Sequence, residues 1–440
     1  MKNRTNVVMT IILCLIGLIL ASNFYVYAPD IGQVGGPIEG LTLLQLKKFY
    51  ECREVFKKTF SVKDGLGPLY NADSCYACHG LPEIVGNQGS NPKTDSLTYI
   101  ASPLQNALGK LPTIESIANQ NSDFHTYDGG PIILIKSITK EFPNLFPKDC
   151  QIAPGKIPPS CTFISTRLAP ALWGMGLIDA IGEEDLEDLE LKESDNPEIS
   201  GTSVSHRDSL THQDRVGRFG YKDQFTSLTD AVTEQLNVAI GITTKYEKTI
   251  RTAGVNYDVP DCLKSHLPEE PNDNGSLLAK LNYFLALAAP PPTGKADTAS
   301  NRGRLTFERL GCAGCHVPTL NTGSEYYLLD PASQFPTKRY LRIQALENRE
   351  VRAYSDFLLH HMGHALADGI ATSGGVTGGQ WRTTPLWGLR YRKYFLHDGR
   401  TTDLSEAILA HGGQAQSAKD KFAVLSEKER VELLTFLKSL

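Results

Sequence analysis

The chain has 440 residues, and at roughly 100–200 residues per domain this points to two to four domains. Hydrophobic residues make up 41%, enough for a large buried core, which excludes wholesale disorder. With 44 Lys+Arg against 49 Asp+Glu the net charge is −5, which excludes a nucleic-acid binder working by bulk basic charge.

The N-terminus reads as an export signal. Lys2 and Arg4 precede an apolar run at 7–21, broken by Thr10 and Gly17, and Val26-Tyr27-Ala28 has the small-residue form of a cleavage site. The stretch 7–28 is also just long enough to be kept as a membrane anchor. Export to the periplasm is expected, with residues 1–28 either cleaved or retained as a tether. An exported chain meets oxidising conditions. Cys150 and Cys161, in a Pro-rich segment, are expected to pair, while Cys52 and Cys262 either pair or stay free.

Helical spacing of Leu44, Phe49, Cys52, Val55, Phe56 and Phe60 predicts an amphipathic helix over 41–60. It precedes Cys75-Tyr76-Ala77-Cys78-His79. The middle of the chain, 119–264, shows little periodicity, and the acidic run 183–193 reads as a solvated helix face. An apolar helix is predicted over 276–289, ended by Pro290-Pro291-Pro292-Thr293-Gly294, which reads as an interdomain linker. A helix over 302–310 is stopped by Gly311 and followed by Cys312-Ala313-Gly314-Cys315-His316. A terminal helix over 426–440 buries Val431, Leu433, Leu434, Phe436 and Leu437.

The pattern C-x-x-C-H, present twice, carries the chemistry. Two thiols three positions apart reach the two vinyl groups of one haem, and the adjacent histidine meets the iron. With Cys at 9 of 440 and His at 11 of 440, about 0.005 such matches are expected by chance over the chain, so two point to haem attachment. A paired zinc site would want its second Cys-x-x-Cys nearby, and the two motifs lie 237 residues apart (312 minus 75). Two covalent haem c groups are expected, held by Cys75, Cys78 and His79 and by Cys312, Cys315 and His316. The fold expected is mainly α, with two cytochrome c-like haem domains. The N-terminal one, 29–290, is enlarged by loop-rich insertions; the C-terminal one, 295–440, is compact.

Several runs then resemble the di-haem oxidoreductase (putative peroxidase) family, whose relatives include bacterial di-haem cytochrome c peroxidases. They are Ser165-Thr166-Arg167-Leu168-Ala169-Pro170-Ala171-Leu172-Trp173-Gly174, Gly217-Arg218-Phe219-Gly220-Tyr221-Lys222, Tyr354-Ser355-Asp356-Phe357-Leu358-Leu359-His360, Trp381-Arg382-Thr383-Thr384-Pro385-Leu386-Trp387-Gly388, Leu396-His397-Asp398-Gly399-Arg400 and His411-Gly412-Gly413. The resemblance implies a periplasmic oxidoreductase that takes electrons from a small redox protein or a quinol-linked donor. It implies hydrogen peroxide as substrate, with electrons relayed between the haems. The Asp/Gly-rich tract of the family is reduced here to Asp195, Asn196 and Ser200-Gly201, which weakens the case for a calcium ion.

A haem with one axial ligand can bind peroxide, and one with two is suited to electron transfer. For the second haem His397 is the first choice as sixth ligand, with Asp398 to orient it; Met362 and then His360 follow. For the first haem His125, His206, His212, His266 and Met175 are in range and none is singled out, so this haem is expected to be the reactive one. Arg382 is expected to pair with haem propionates. Trp173, Trp381 and Trp387 are candidate electron-transfer stations. No residue stands out as the distal acid–base group. The alternatives are a di-haem oxygenase or oxidase acting on an organic or protein substrate, and a non-enzymatic electron carrier. Phosphate-loop, dinucleotide and hydrolase motifs are absent from the sequence.

Overall fold

The computed structural model describes residues 30–80, 96–101, 132–155, 163–252, 255–256, 258–269, 271–333 and 339–440. The leader at 1–28, His125 and Cys161 lie outside the described residues. Among the described residues no helix is long and apolar enough to cross a membrane.

The helices that build the sites are α1 (Leu43–Lys57), α2 (Cys75–His79), α3 (Met175–Asp179), α4 (Glu183–Glu193), α5 (Ser276–Leu287), α6 (Thr298–Leu310), α7 (Leu404–Leu409), α8 (Gln416–Ala423) and α9 (Glu427–Ser439). The named strands form two-stranded ladders alone. Two of these matter here. Antiparallel β1 (Ser96–Ala101) and β2 (Phe163–Leu168) pair Ser96 with Leu168; antiparallel β3 (Leu359–His361) and β4 (Gln380–Arg382) pair His360 with Trp381. The fold is mainly α, as the sequence implied.

Each Cys-x-x-Cys-His turn is flanked by a helix pair. In the first pair, Thr42 caps α1 through a reciprocal capping box with Gln45. Phe49 and Phe56 on α1 meet Phe284 of α5, with ring centroids 5.2 and 5.1 Å apart. The helix is three residues shorter than expected at its C-terminal end, and Leu44, assigned by spacing to the inner face, is 65% exposed. In the second pair, Asp297 caps α6 and Ser426 caps α9. The Asp297 cap starts α6 four residues before the predicted position, a signal the apolar spacing alone did not carry. Phe307 of α6 lies 5.4 Å from Phe436 of α9. The backbones cross closely at Gly303, where a Cβ would lie 2.0 Å from the Glu432 carbonyl oxygen. Val431 is half exposed, contrary to the inner face expected for it.

The expected break at 290–294 falls where α5 ends, yet packing crosses it. Leu320, Leu328, Ile343, Leu346 and Val351 join the core built by α1, α3 and α5. A second core gathers Phe307, Leu310, Phe422, Leu433 and Phe436. The halves meet in a reciprocal clasp. A Cβ on Gly174 would lie 2.7 Å from the Trp387 ring, and one on Gly388 would lie 2.8 Å from the Trp173 ring. Both glycines have positive φ, so each Trp-Gly pair turns sharply and lays its indole over the other's glycine. The proline linker is tied down as well, since Gly294 donates to the Ser439 carbonyl.

Two expectations are corrected. Cys150 pairs with Cys262, 112 residues away, rather than with Cys161. Their Cα atoms are 5.9 Å apart, which suits a disulfide. Chain spacing misled because Cys262 is distant in sequence and close in space. Cys52 is therefore a free thiol, buried on α1, and burial pushes it up to about 12. The acidic helix α4 is not solvated throughout. Its first residue, Glu183, pairs with Arg215 and the buried Arg218, and its last, Glu193, is 4% exposed.

Candidate haem sites

The two attachment turns are built differently and end alike. The first is α2, capped by the Ser74 hydroxyl, which accepts from the Ala77 amide. The second is a tight turn at Cys312–Gly314, entered through Gly311 at φ 90. In both, the histidine Nδ1 meets a backbone carbonyl: His79 to Pro170 at 2.9 Å and His316 to Tyr354 at 3.0 Å. A carbonyl can only accept, so Nδ1 carries the proton and Nε2 keeps its lone pair for a metal. Burial pushes His79 down to about 4 and His316 to about 3, so both rings are neutral at physiological pH.

A cavity of about 530 Å³ adjoins the second turn, walled by Cys312, Cys315 and His316, and by Met362, His397 and His411. Its polar groups fit a haem, which carries two propionates. Arg382 and Arg392 both line it. Arg382 spends Nε on the Gly220 carbonyl and Nη1 on Thr383. Arg392 spends Nη2 on Pro385 and Trp387, while its buried Nε has no hydrogen-bond partner among the described residues. The buried Trp173 indole N–H, on the same wall, also lacks one. Buried donors left in this state are costly, and carboxylates reaching into the cavity would satisfy them. Arg392 was not legible from the sequence, because nothing in its flanking residues marks it.

The cavity brings together His397, Met362 and Arg382 and adds His411. The His397 ring stacks on Trp381 at 3.9 Å and 15°, and the Lys222 ammonium lies 4.0 Å from that indole's centroid. Lys222 is fully buried; its ammonium donates to the carbonyls of Thr377, Gly378 and Gln380, and lies 3.5 Å from Asp368. Burial lowers His397 to about 4. His411 is anchored instead by hydrogen bonding. Its Nδ1 donates to Ala407 at 2.8 Å, back into the last turn of α7. This is the device already seen at His79 and His316, and it leaves Nε2 for a metal. The sequence signal was a histidine four residues past a helical position and followed by Gly412-Gly413, a helix stop.

His360 is spoken for. Its Nε2 contacts Asp356 Oδ2 at 2.8 Å and its Nδ1 lies 3.5 Å from Cys315 Sγ. The Asp356 contact commits Nε2, so His360 faces the attachment turn through Nδ1 alone. The segment that carries it brackets the attachment turn, with the Asp356 amide donating to the Cys315 carbonyl and the Ser355 amide to Val317. Tyr354 and Phe357 hold positive φ there, a strain that the bracket must offset. Of the candidates for the first haem, His212 and His266 are exposed, His206 is half-buried on a short hairpin at Ser205–Arg207, and Met175 lines the second cavity. None is enclosed as His316 and His411 are.

Residues 160–440 match the family model described as "Di-haem oxidoreductase, putative peroxidase". No curated protein matches the chain. Among solved structures, hydrazine synthase from Kuenenia stuttgartiensis aligns at 13% identity over 92% of this chain and 94% of that one, with a TM-score of 0.38. A MauG-like protein associated with microbial copper homeostasis aligns at 15% identity over 60% of this chain and 90% of that one, with a TM-score of 0.28. The match over residues 160–440 covers well over half of the sequence, takes in the second attachment turn and the cavity around it, and shows that the chain belongs to the di-haem oxidoreductase family.

Proposed function

We propose that the protein is an exported c-type di-haem oxidoreductase that reduces hydrogen peroxide, drawing electrons from a small redox protein or a quinol-linked donor. The observation that carries this reading is the pair of Cys-x-x-Cys-His turns, each with its histidine Nδ1 held on a backbone carbonyl. Cys75, Cys78 and His79 would hold one haem and Cys312, Cys315 and His316 the other, each in a cytochrome c-like setting. Bound haem iron supplies one-electron chemistry and, where one axial position is open, a place for peroxide to bind.

His411 is our assignment for the sixth ligand at the second site, in preference to His397 and Met362. A ring anchored through Nδ1 holds its Nε2 in one orientation, and His397 is held by ring stacking alone. The second site would then receive electrons and the first would meet peroxide. Pro170 joins the two sites, since its carbonyl anchors His79 and its side chain lines the second cavity. Arg382 and Arg392 would neutralise propionates. The Cys150–Cys262 disulfide supports an oxidising compartment and hence export.

Low-temperature EPR of the fully ferric protein tests the assignment. We expect one low-spin and one high-spin haem, with His411→Ala converting the low-spin signal. Two low-spin signals, with no cyanide binding, would favour the electron-carrier reading.

A further inference from the structure

Two buried cations, Lys222 and Arg167, share one buried carboxylate, Asp368. Both lie over the Trp381 ring, with Lys222 Nζ 4.0 Å and Arg167 Cζ 5.4 Å from its centroid. We propose that this surplus positive charge insulates Trp381 against one-electron oxidation, so that oxidising equivalents drawn from peroxide do not pass into this indole. The proposal rests on the reading that the protein reduces hydrogen peroxide.

The charges follow from the hydrogen bonds. Lys222 Nζ donates to the carbonyls of Thr377, Gly378 and Gln380 at 3.1, 3.2 and 2.9 Å. Three bonds take three N–H protons and a neutral amine has two, so Lys222 is an ammonium. Arg167 is always charged and donates through Nε and Nη2 to Asp368 Oδ2, at 3.3 and 2.7 Å. Asp368 carries one negative charge and lies 3.5 Å from Lys222, so the trio is left at a net charge of +1. The next carboxylate, Asp398, is held by Arg400 at 2.7 Å. The His397 ring stacked on Trp381 is neutral, since burial lowers it to about 4. Arg167 alone would neutralise Asp368, so the ion pair does not account for a second buried cation, whose desolvation is costly.

Oxidation would move one electron from the Trp381 π system to the oxidised haem whose cavity it lines. The indole N–H donates to the Leu366 carbonyl at 2.9 Å, an acceptor too weak to take up the proton. The product would be a cation centred 4.0 Å from an ammonium, in a buried site where like charges repel strongly. Trp173 and Trp387 line the same cavity, and among the described residues no cation is seated over either ring.

Half-reduced, haem-loaded protein, given excess hydrogen peroxide with no donor, provides the test. Burial lowers Lys222 to about 7, so pH 6 keeps it charged. Peptide mass spectrometry compares oxygenated Trp381 with oxygenated Trp173 and Trp387 in one sample. Each added oxygen atom removes two electrons from an indole, and these reduce one peroxide to water. In the unsubstituted chain Trp381 should be the least oxygenated, by about tenfold or more. In Lys222→Met its yield should rise by about tenfold or more while Trp173 and Trp387 hold theirs, and Lys222→Arg should keep it low. A rise at all three indoles in Lys222→Met marks loosened packing. Arg167→Gln, which leaves Lys222 on its three carbonyls, then decides, and should raise Trp381 alone. Equal oxygenation of the three indoles in the unsubstituted chain overturns the proposal. So does an unchanged Trp381 yield, or an equal rise at all three, in both Lys222→Met and Arg167→Gln. Failure of the half-reduced protein to consume peroxide with a donor present would instead overturn the peroxidase reading itself.

Discussion

Replacing Gly303 by alanine places the tightest demand on the second helix pair. The new Cβ would lie 2.0 Å from the Glu432 carbonyl oxygen, 2.6 Å from its carbon and 2.7 Å from Phe436 Cβ. Ordinary contact begins near 3.4 Å, so α6 and α9 must separate by about 1.4 Å (3.4 minus 2.0). Two of those three atoms are backbone, so rotamer changes cannot absorb the shift. Overpacking of this kind costs about 1–3 kcal/mol. Separation also draws Phe307 away from Phe436, loosening an aromatic pair worth about 1 kcal/mol. The expected loss is about 2–4 kcal/mol by denaturant titration. Gly323→Ala, whose Cβ would meet nothing closer than 3.7 Å, is the control. Phe307 lies 6.4 Å from the His316 ring, so Gly303→Ala should also perturb absorbance of the second haem more than the first. A Gly303→Ala chain as stable as the control would refute the close crossing.

Removing the disulfide with Cys150→Ser and Cys262→Ser releases a loop of 112 residues and should cost about 5 kcal/mol on the chain-entropy model; peptide mapping that finds Cys150 joined to Cys161 would contradict the pairing. Lys222→Met strands the carbonyls of Thr377, Gly378 and Gln380, while Asp368 keeps its ion pair with Arg167, a loss of about 1–3 kcal/mol by equilibrium unfolding. A loss under about 1 kcal/mol would show that water replaces the ammonium. Burial, with Asp356 and Glu190 adding and His360 opposing, raises Glu193 from 4.5 to about 7. The native state therefore holds a proton that the unfolded chain releases, so stability falls as pH rises from about 4.5 to 7 and is level above, by at most about 3 kcal/mol. Glu193→Gln should flatten that slope, and an unchanged slope would place the titration elsewhere.

The two Cys-x-x-Cys-His turns were legible because their pattern is local: five consecutive residues carry two thiols and the histidine proposed as iron ligand. The four helices beside them were legible from apolar spacing, with errors at their ends and in the facing of Leu44 and Val431. Asp297 and Ser426 show why, since caps are set by a single polar side chain rather than by periodicity. The distal side was not legible. His397 sits in a conspicuous motif, and His411 in a plainer one, yet it is His411 whose ring is anchored as the proximal histidines are. The partner that anchors it is a backbone carbonyl, which leaves no trace in residue identity. Cys150–Cys262 and the contact of His360 with Cys315 failed to show for a related reason. Each joins positions far apart in the chain, and spacing reports only on near neighbours. The reciprocal contact of Trp173-Gly174 with Trp387-Gly388 lay in two motifs already noticed, although their meeting required the fold.

Stopped-flow absorbance of the half-reduced, haem-loaded protein mixed with hydrogen peroxide tests the central claim most directly. We expect a fast change at the haem held by Cys75 and Cys78, with peroxide consumed when a donor is present. The haem held by Cys312 and Cys315 should respond only as it gives up its electron. No reaction in any redox state would mean that both irons are capped, and the protein would then be an electron carrier.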